Sequence, residues 1–357
     1  MPAFDPHSLT DIRERFVREA HFMYRRAPLY ARLCRGISAD GPLARMLFHA
    51  PPTQRLPVLL LAAVHHLLLA EPDAELGMWY PNLVLVPRDD DPMPAFREFV
   101  QQREGELVAL LSTRSTQTNE VGRATALLPV LGMLGHECGP LAMLDVGTSA
   151  GLVTLLDHFE YRYQPGGTVG GPSSVVLTCR TTGDVPVPTT MPTIVARLGI
   201  DRSPIDVADA TEARWLEACV WPDQAERFHR LEAAIELARQ QPPHVRAGDA
   251  VDDLATAVGD VASSGGHPVV TNSWVLHYLT SDERRAYLDV LEAIGAGRDL
   301  SWVFVEEHSS VPELPILAPD DPDVRLTFVT LVRWRNGVRA VSQLAAAHPH
   351  GFSLRWR

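Results

Sequence analysis

Cysteine is sparse in this chain and never paired. Cys34, Cys138, Cys179 and Cys219 are widely scattered with no C-x-x-C pair, so neither a zinc site nor a disulfide framework is indicated, and free thiols in a reducing compartment are expected. Positive charge is also in deficit: 32 Lys and Arg stand against 44 Asp and Glu, a formal net charge of -12. That balance argues against a general affinity for nucleic-acid phosphates or anionic membranes. Long apolar runs are missing. The longest, Val58 to Ala70, contains His65 and His66 and falls short of the ~20 residues of a membrane span. The opening MPAFDPHSLTDIRERFVREA carries acidic residues and no apolar core, unlike a signal peptide. The expectation is a cytoplasmic protein with no nucleic-acid partner and no membrane span, while oligomeric state is not legible. No metal site is expected either. Neighbouring helical residues such as His65 and His66 point about 100° apart, without an acidic or Cys partner at i+4. The acidic run Asp89-Asp90-Asp91, flanked by Pro87 and Pro92, reads as a solvated loop and lacks EF-hand spacing.

What is present is a chain of 357 residues, 46% apolar and 21% charged, the composition of a soluble globular protein large enough for one big domain or two ordinary ones. Its most informative stretch is Leu141–Gly151, LAMLDVGTSAG. An apolar run of strand length leads to Asp145 and then to two glycines. A further apolar segment, Leu152 to Leu156, can continue as a helix. Gly147 and Gly151 permit turn dihedrals and the close approach of a ligand, and a following helix would aim its free N–H groups at the turn. Two chemistries suit that arrangement. One is the glycine-rich nucleotide turn of a Rossmann-like sheet, in the form D-x-G-x-S-x-G, with Asp145 near the cofactor and Gly147, Ser149 and Gly151 lining the turn. The other is the hydrolase elbow, because Gly147-Thr148-Ser149-Ala150-Gly151 also satisfies G-x-S-x-G. A plain structural turn is the third possibility.

The flanking sequence separates these readings. Before residue 140 the pattern is helical: Ser8 or Thr10 caps a helix with Ile12, Phe16, Val17 and Ala20 at helical spacing and Pro28 closing it, and further runs lie around Leu43–Phe48, Leu56–Leu69 and Pro94–Leu111. The segment Arg114–Arg123 then gathers hydroxyls, amides and arginines. Thr118 or Asn119 can act as a helix cap with Glu120 in the first turn, or the group can face a ligand, with Arg114 or Arg123 pairing a carboxylate. After the glycine turn, alternating residues and a Gly/Pro-rich stretch suggest a β-hairpin insertion at about 160–190. A strand closing on Gly199-Ile200-Asp201 suits the second Rossmann strand, whose acidic residue accepts from ribose hydroxyls. Asp201 lies about 50 residues beyond Gly151 where about 20 is usual, the insertion accounting for the excess. Asp206 is the alternative. Gly248-Asp249-Ala250 would end a third strand beside an adenine ring. Pro268–Leu279, with Asn272, His277 and Tyr278, supplies the fourth strand and its loop, and Leu300–Val305 the fifth, followed by Glu306, Glu307 and His308. Val324–Trp334 and Val338–Leu344 form a hairpin on the favoured pair Asn336-Gly337.

From about residue 120 onward the chain resembles the class I, Rossmann-like S-adenosylmethionine-dependent methyltransferases, through LDVGTSAG, GID at Asp201, GDA at Asp249, TNSWVLHYL in the fourth-strand position and the terminal hairpin. It differs from them at Ser149, where glycine is more frequent. The TQTNE…R segment, GTSAG and the run Trp215–Pro222 also resemble a bacterial domain family of unknown function. The resemblance implies an α/β fold with a mostly parallel sheet and an antiparallel C-terminal hairpin over 119–357; the helical pattern before it is expected to form an all-helical lid module over 1–118. It implies S-adenosylmethionine as cofactor, held by Asn119, Glu120, Arg123, Asp145, Gly147, Ser149, Gly151, Asp201, Asp249 and Asn272. His277 is the candidate general base, with Tyr278, Asn272, Glu307 and His308 as candidate positioners. The fourth-strand loop lacks an N-P-P-Y sequence, which with the acidic balance favours a small or lipophilic acceptor; oxygen is the expected site of methylation. The competing expectations are a non-catalytic ligand-binding module and a serine hydrolase with Ser149, Asp249 and His277 or His308 in the required order.

Overall fold

Ser8 begins the first helix, Leu9–Met23, by accepting from the Asp11 backbone N–H at 3.3 Å. Ile12, Phe16, Ala20 and Met23 form its buried face. Pro28 opens a second helix, Pro28–Ala39, because a first-turn residue does not need its N–H. The expected helix over Pro94–Leu111 is two, Met93–Gln102 and Glu104–Thr113, separated by Arg103. Pro57–Ala70 has no polar face and is buried almost all round.

The structure is a computed structural model describing residues 5–317 and 327–357. It divides into two units, Met1–Thr118 with Ala208–Glu232, and Asn119–Val207 with Ala233–Arg357. In the first unit, helix Ala210–Ala218 joins the N-terminal helices. His65 shows how its core tolerates a polar group. The ring is fully buried, with Nδ1 3.1 Å from the Ala218 carbonyl and Nε2 2.9 Å from the Asn82 amide nitrogen. Burial pushes its pKa down to about 4, against those hydrogen bonds. His66 packs on Trp215 at 5.7 Å. No cluster of metal-ligating side chains occurs among the described residues. Arg114, a candidate for ligand recognition, instead holds Glu212 through two bonds of 2.7 and 2.6 Å.

The second unit contains every strand among the described residues. In chain order they are β1 Leu141–Val146, β2 Glu160–Gln164, β3 Gly167–Val169, β4 Val176–Thr182, β5 Ile194–Asp201, β6 Val245–Ala247, β7 His267–Ser273, β8 Leu300–Glu306, β9 Thr327–Arg335, β10 Val338–Ala347 and β11 Ser353–Trp356. They form one 11-stranded sheet in the order β3-β2-β4-β11-β10-β9-β8-β7-β1-β5-β6. The strands β6, β5, β1, β7 and β8 are mutually parallel, β9 runs antiparallel to β8, and β10 returns beside β9. The α/β class with antiparallel C-terminal strands is therefore as the sequence implies. Asn336 and Gly337 both have positive φ, +51° and +75°, which a two-residue hairpin turn demands. The expected start of β9 at Val324 lies outside the described residues.

Two local expectations are corrected. The segment after the glycine turn is a short 3-10 stretch, Leu152–His158, kinked at Leu155, and not an α-helix. The insertion is more than a hairpin: β2 pairs antiparallel with β3 but parallel with β4, and β4 pairs parallel with β11, which returns the insertion to the main sheet. Helix Ser281–Gly297 starts as a capping box. Thr280 accepts from the Glu283 N–H, and the Glu283 side chain accepts from the Thr280 N–H.

Candidate functional site

β1 ends in a turn with positive φ at Gly147 (+69°), Ser149 (+55°) and Gly151 (+74°). The close approaches that glycine permits here are made by the chain itself. A Cβ on Gly147 would stand 2.5 Å from Val275 Cγ2, and one on Gly151 2.5 Å from Val245 Cγ2. Asp145 lies buried in β1, 6% exposed, and accepts from Thr271 Oγ1 at 2.6 Å. Burial pushes its carboxyl pKa up to about 6, opposed by the hydrogen bond from Thr271.

Asp201 closes β5 and fastens the turn. One carboxylate oxygen accepts from the Ser149 N–H and the other from the Ser203 N–H, each at 2.8 Å. Each oxygen keeps a second lone pair. Asp249, at the end of the next strand, accepts from the N–H groups of Val251 and Asp252 and from Arg202 Nε at 2.8 Å. Arg202 also reaches Glu283 at 2.9 Å, so the GDA acid is already engaged by the chain's own cation.

Residues 119–123 act as a clasp. Asn119 donates to the Thr148 carbonyl at 3.3 Å. Glu120, not Thr118 or Asn119, is the cap: it accepts from the Gly122 N–H and so starts the 3-10 turn Val121–Arg123 ahead of helix Ala124–Cys138. Its other oxygen lies 3.2 Å from His350 Nδ1. The Arg123 guanidinium donates to the carbonyls of Pro349 and Ser273, both at 3.1 Å, and stands 5.6 Å from the Trp274 ring.

Beyond β7 the main surprise is Glu306. The final residue of β8 is 1% exposed, and one of its oxygens accepts from the Asn272 amide at 2.8 Å and from the N–H groups of Val275 and Leu276 at 2.7 and 3.3 Å. Burial pushes its pKa up to about 7, against those three bonds. Asn272 is wholly buried, its carbonyl oxygen accepting from Trp302 Nε1 at 2.6 Å, so it holds the loop in place rather than facing outward. Sequence reasoning preferred Glu307 and His308. The missed signal is that Glu306 directly continues the apolar run Leu300–Val305 and inherits its burial. His277 and Tyr278 are exposed on the 3-10 turn Leu276–Tyr278, their rings 3.8 Å apart. Crowding by the surrounding protein and the Arg123 charge lower the His277 pKa, which keeps the imidazole neutral near pH 7.

The turn after β1, the clasp, the end of β5, the loop after β7 and the end of β8 thus meet at the carboxyl end of the parallel strands, with Asp249 joined at its margin through Arg202. A family model described as an uncharacterized protein conserved in bacteria (DUF2332) matches residues 13–356. The chain belongs to this family. Neither the curated proteins nor the solved structures contain a match. No helix among the described residues is long and apolar enough to cross a membrane.

Proposed function

We propose that the second unit is an S-adenosylmethionine-dependent methyltransferase domain acting at oxygen on a small or lipophilic molecule. The observation that carries the reading is the reversal of strand order at β1, with β5 and β6 on one side and β7 and β8 on the other, all parallel. In open α/β sheets ligands settle outside the carboxyl ends of the strands at such a reversal. The loops leaving β1 and β7 at that point hold the strained residues Ser149 and Trp274, and backbone strain gathers at ligand sites. Two features support the cofactor. Asp201 retains lone pairs for ribose hydroxyls, and the turn Gly147–Gly151 lies beside it, supported by Asn119 and with Asp145 below. Asn272 and Asp249 fit less directly, serving the loop and the Arg202 bridge.

When bound, the cofactor supplies an electrophilic methyl group. The chain's own part is to orient the acceptor and remove a proton from a hydroxyl, for which the neutral His277 imidazole is the candidate. Calorimetric titration with S-adenosylmethionine and S-adenosylhomocysteine tests the reading. Micromolar binding is expected, and a folded protein that binds neither removes it. The Asp249–Arg202–Glu283 bridge favours a second reading, a ligand-binding module without chemistry, for which binding would occur without transfer to any oxygen acceptor. The hydrolase alternative draws less support, since Ser149 is 7% exposed and Asp249 is engaged by Arg202.

A further inference from the structure

Trp274, in the loop beyond β7, combines a strained backbone with an unpartnered buried donor. Its φ is +58°, a left-handed backbone that a bulky side chain rarely adopts. Its indole Nε1 is shut off from solvent and has no hydrogen-bond partner among the described residues. An indole nitrogen can only donate, and buried donors left without an acceptor are rare. Around it stand the Arg123 guanidinium, 5.6 Å from the ring, and the His277 ring, also at 5.6 Å. Val275, the next residue, packs on Gly147 of the glycine turn, so this cluster borders the crest of the sheet.

We propose that Trp274 recognises the acceptor molecule through its indole N–H, and that the acceptor carries a carboxylate. The inference rests on the methyltransferase reading and adds the substrate class to it. An N–H without an acceptor, one guanidinium and a neutral imidazole together complement an anionic oxygen. The indole N–H and the guanidinium are donors only, so an acceptor oxygen suits them where an ammonium does not. A single cation matches a monoanion better than a doubly charged phosphate, and the aromatic rings of Trp274 and Tyr278 suit an apolar body behind the carboxylate. Because Nε1 is closed to solvent, a carboxylate reaches it only as the loop shifts, and the strained φ at Trp274 marks where that shift releases strain.

The experiment follows the Trp274 indole N–H directly. In ¹⁵N-labelled protein its cross-peak is assigned by its loss in Trp274→Phe, or in Trp274→Tyr if the first variant does not fold. Acetate, benzoate and decanoate are titrated in turn, each against its amide. The expected result is a downfield movement with at least one carboxylate and none with the matching amide, and at least about tenfold weaker binding of that carboxylate to the variant, as for loss of a charged hydrogen bond. A cross-peak that no carboxylate moves, or that the amide moves equally, overturns the proposal. Titration with S-adenosylhomocysteine runs in parallel. A carboxylate response in protein that binds no cofactor keeps the recognition role of Trp274 and removes the methyl-transfer reading instead.

Discussion

At the scale of single residues, Asp201 illustrates how one carboxylate can fasten a turn from a neighbouring strand. Its oxygens accept from the part-buried Ser149 N–H and from the solvent-exposed Ser203 N–H, so Asp201→Ala removes the acceptor that holds the turn at Ser149. We expect a loss of about 1–3 kcal/mol in stability by urea denaturation and, on the methyltransferase proposal, weaker binding of S-adenosylmethionine; unchanged stability would show that the turn does not need it. Gly151 carries a related lesson. Its positive φ and the nearness of Val245 and Pro243 mean that Gly151→Arg disturbs the fold, so it cannot serve as a clean binding variant. The glycine turn, the acid ending β5 and the loop after β7 were all legible as motifs. What was not legible is which polar atoms the chain consumes internally: Arg202 on Asp249, Glu212 on Arg114, and Glu306 under the loop. Such pairings join residues far apart in sequence, and only the folded sheet brings them together.

At the scale of elements, the clasp over residues 119–123 depends on the turn between β10 and β11. Gly351 has φ +76°, and a Cβ there would stand 1.8 Å from the Gly122 carbonyl oxygen. Backbone meets backbone at that point, so no side-chain rearrangement relieves the clash. Gly351→Ala is expected to destabilise the sheet unit by about 2–4 kcal/mol, read as a lower urea midpoint, and a midpoint within error of wild type would mean that the turn docks elsewhere. The strands β1, β5, β7 and β8 were readable because each is a short apolar run ending in turn residues. The 3-10 stretch Leu152–His158 was not, since its apolar residues also suit an α-helix. Nor was the pairing of β4 with β11, because periodicity marks a strand without naming its neighbour.

For the whole molecule, buried ionisable groups in the two units give opposite responses to acid. Glu306 has an ordinary pKa of 4.5 when unfolded and about 7 when folded, so the folded state holds the extra proton between those values. Its contribution is therefore lost as pH rises from 4.5 to 7 and recovered on acidification, on the order of 3 kcal/mol at most. His65 runs the other way, from 6.5 unfolded to about 4 folded; the unfolded state takes the proton first, and stability falls as pH drops through that window. Between pH 7 and 5, Glu306→Gln should lose stability more steeply than wild type, and His65→Gln less steeply. Parallel profiles for all three proteins, followed by circular dichroism in urea, would contradict both assignments.

The pairing of β4 with β11 also has a consequence for synthesis. A ribosome delivers β4, residues 176–182, long before β11, residues 353–356, and the two are neighbours in the finished sheet. Until β11 emerges, β4 presents an open edge with unpaired N–H and C=O groups, the kind of surface that recruits foreign strands. The native partner of this edge is therefore the last strand of the described chain to be made, and the edge stays open to other strands until then.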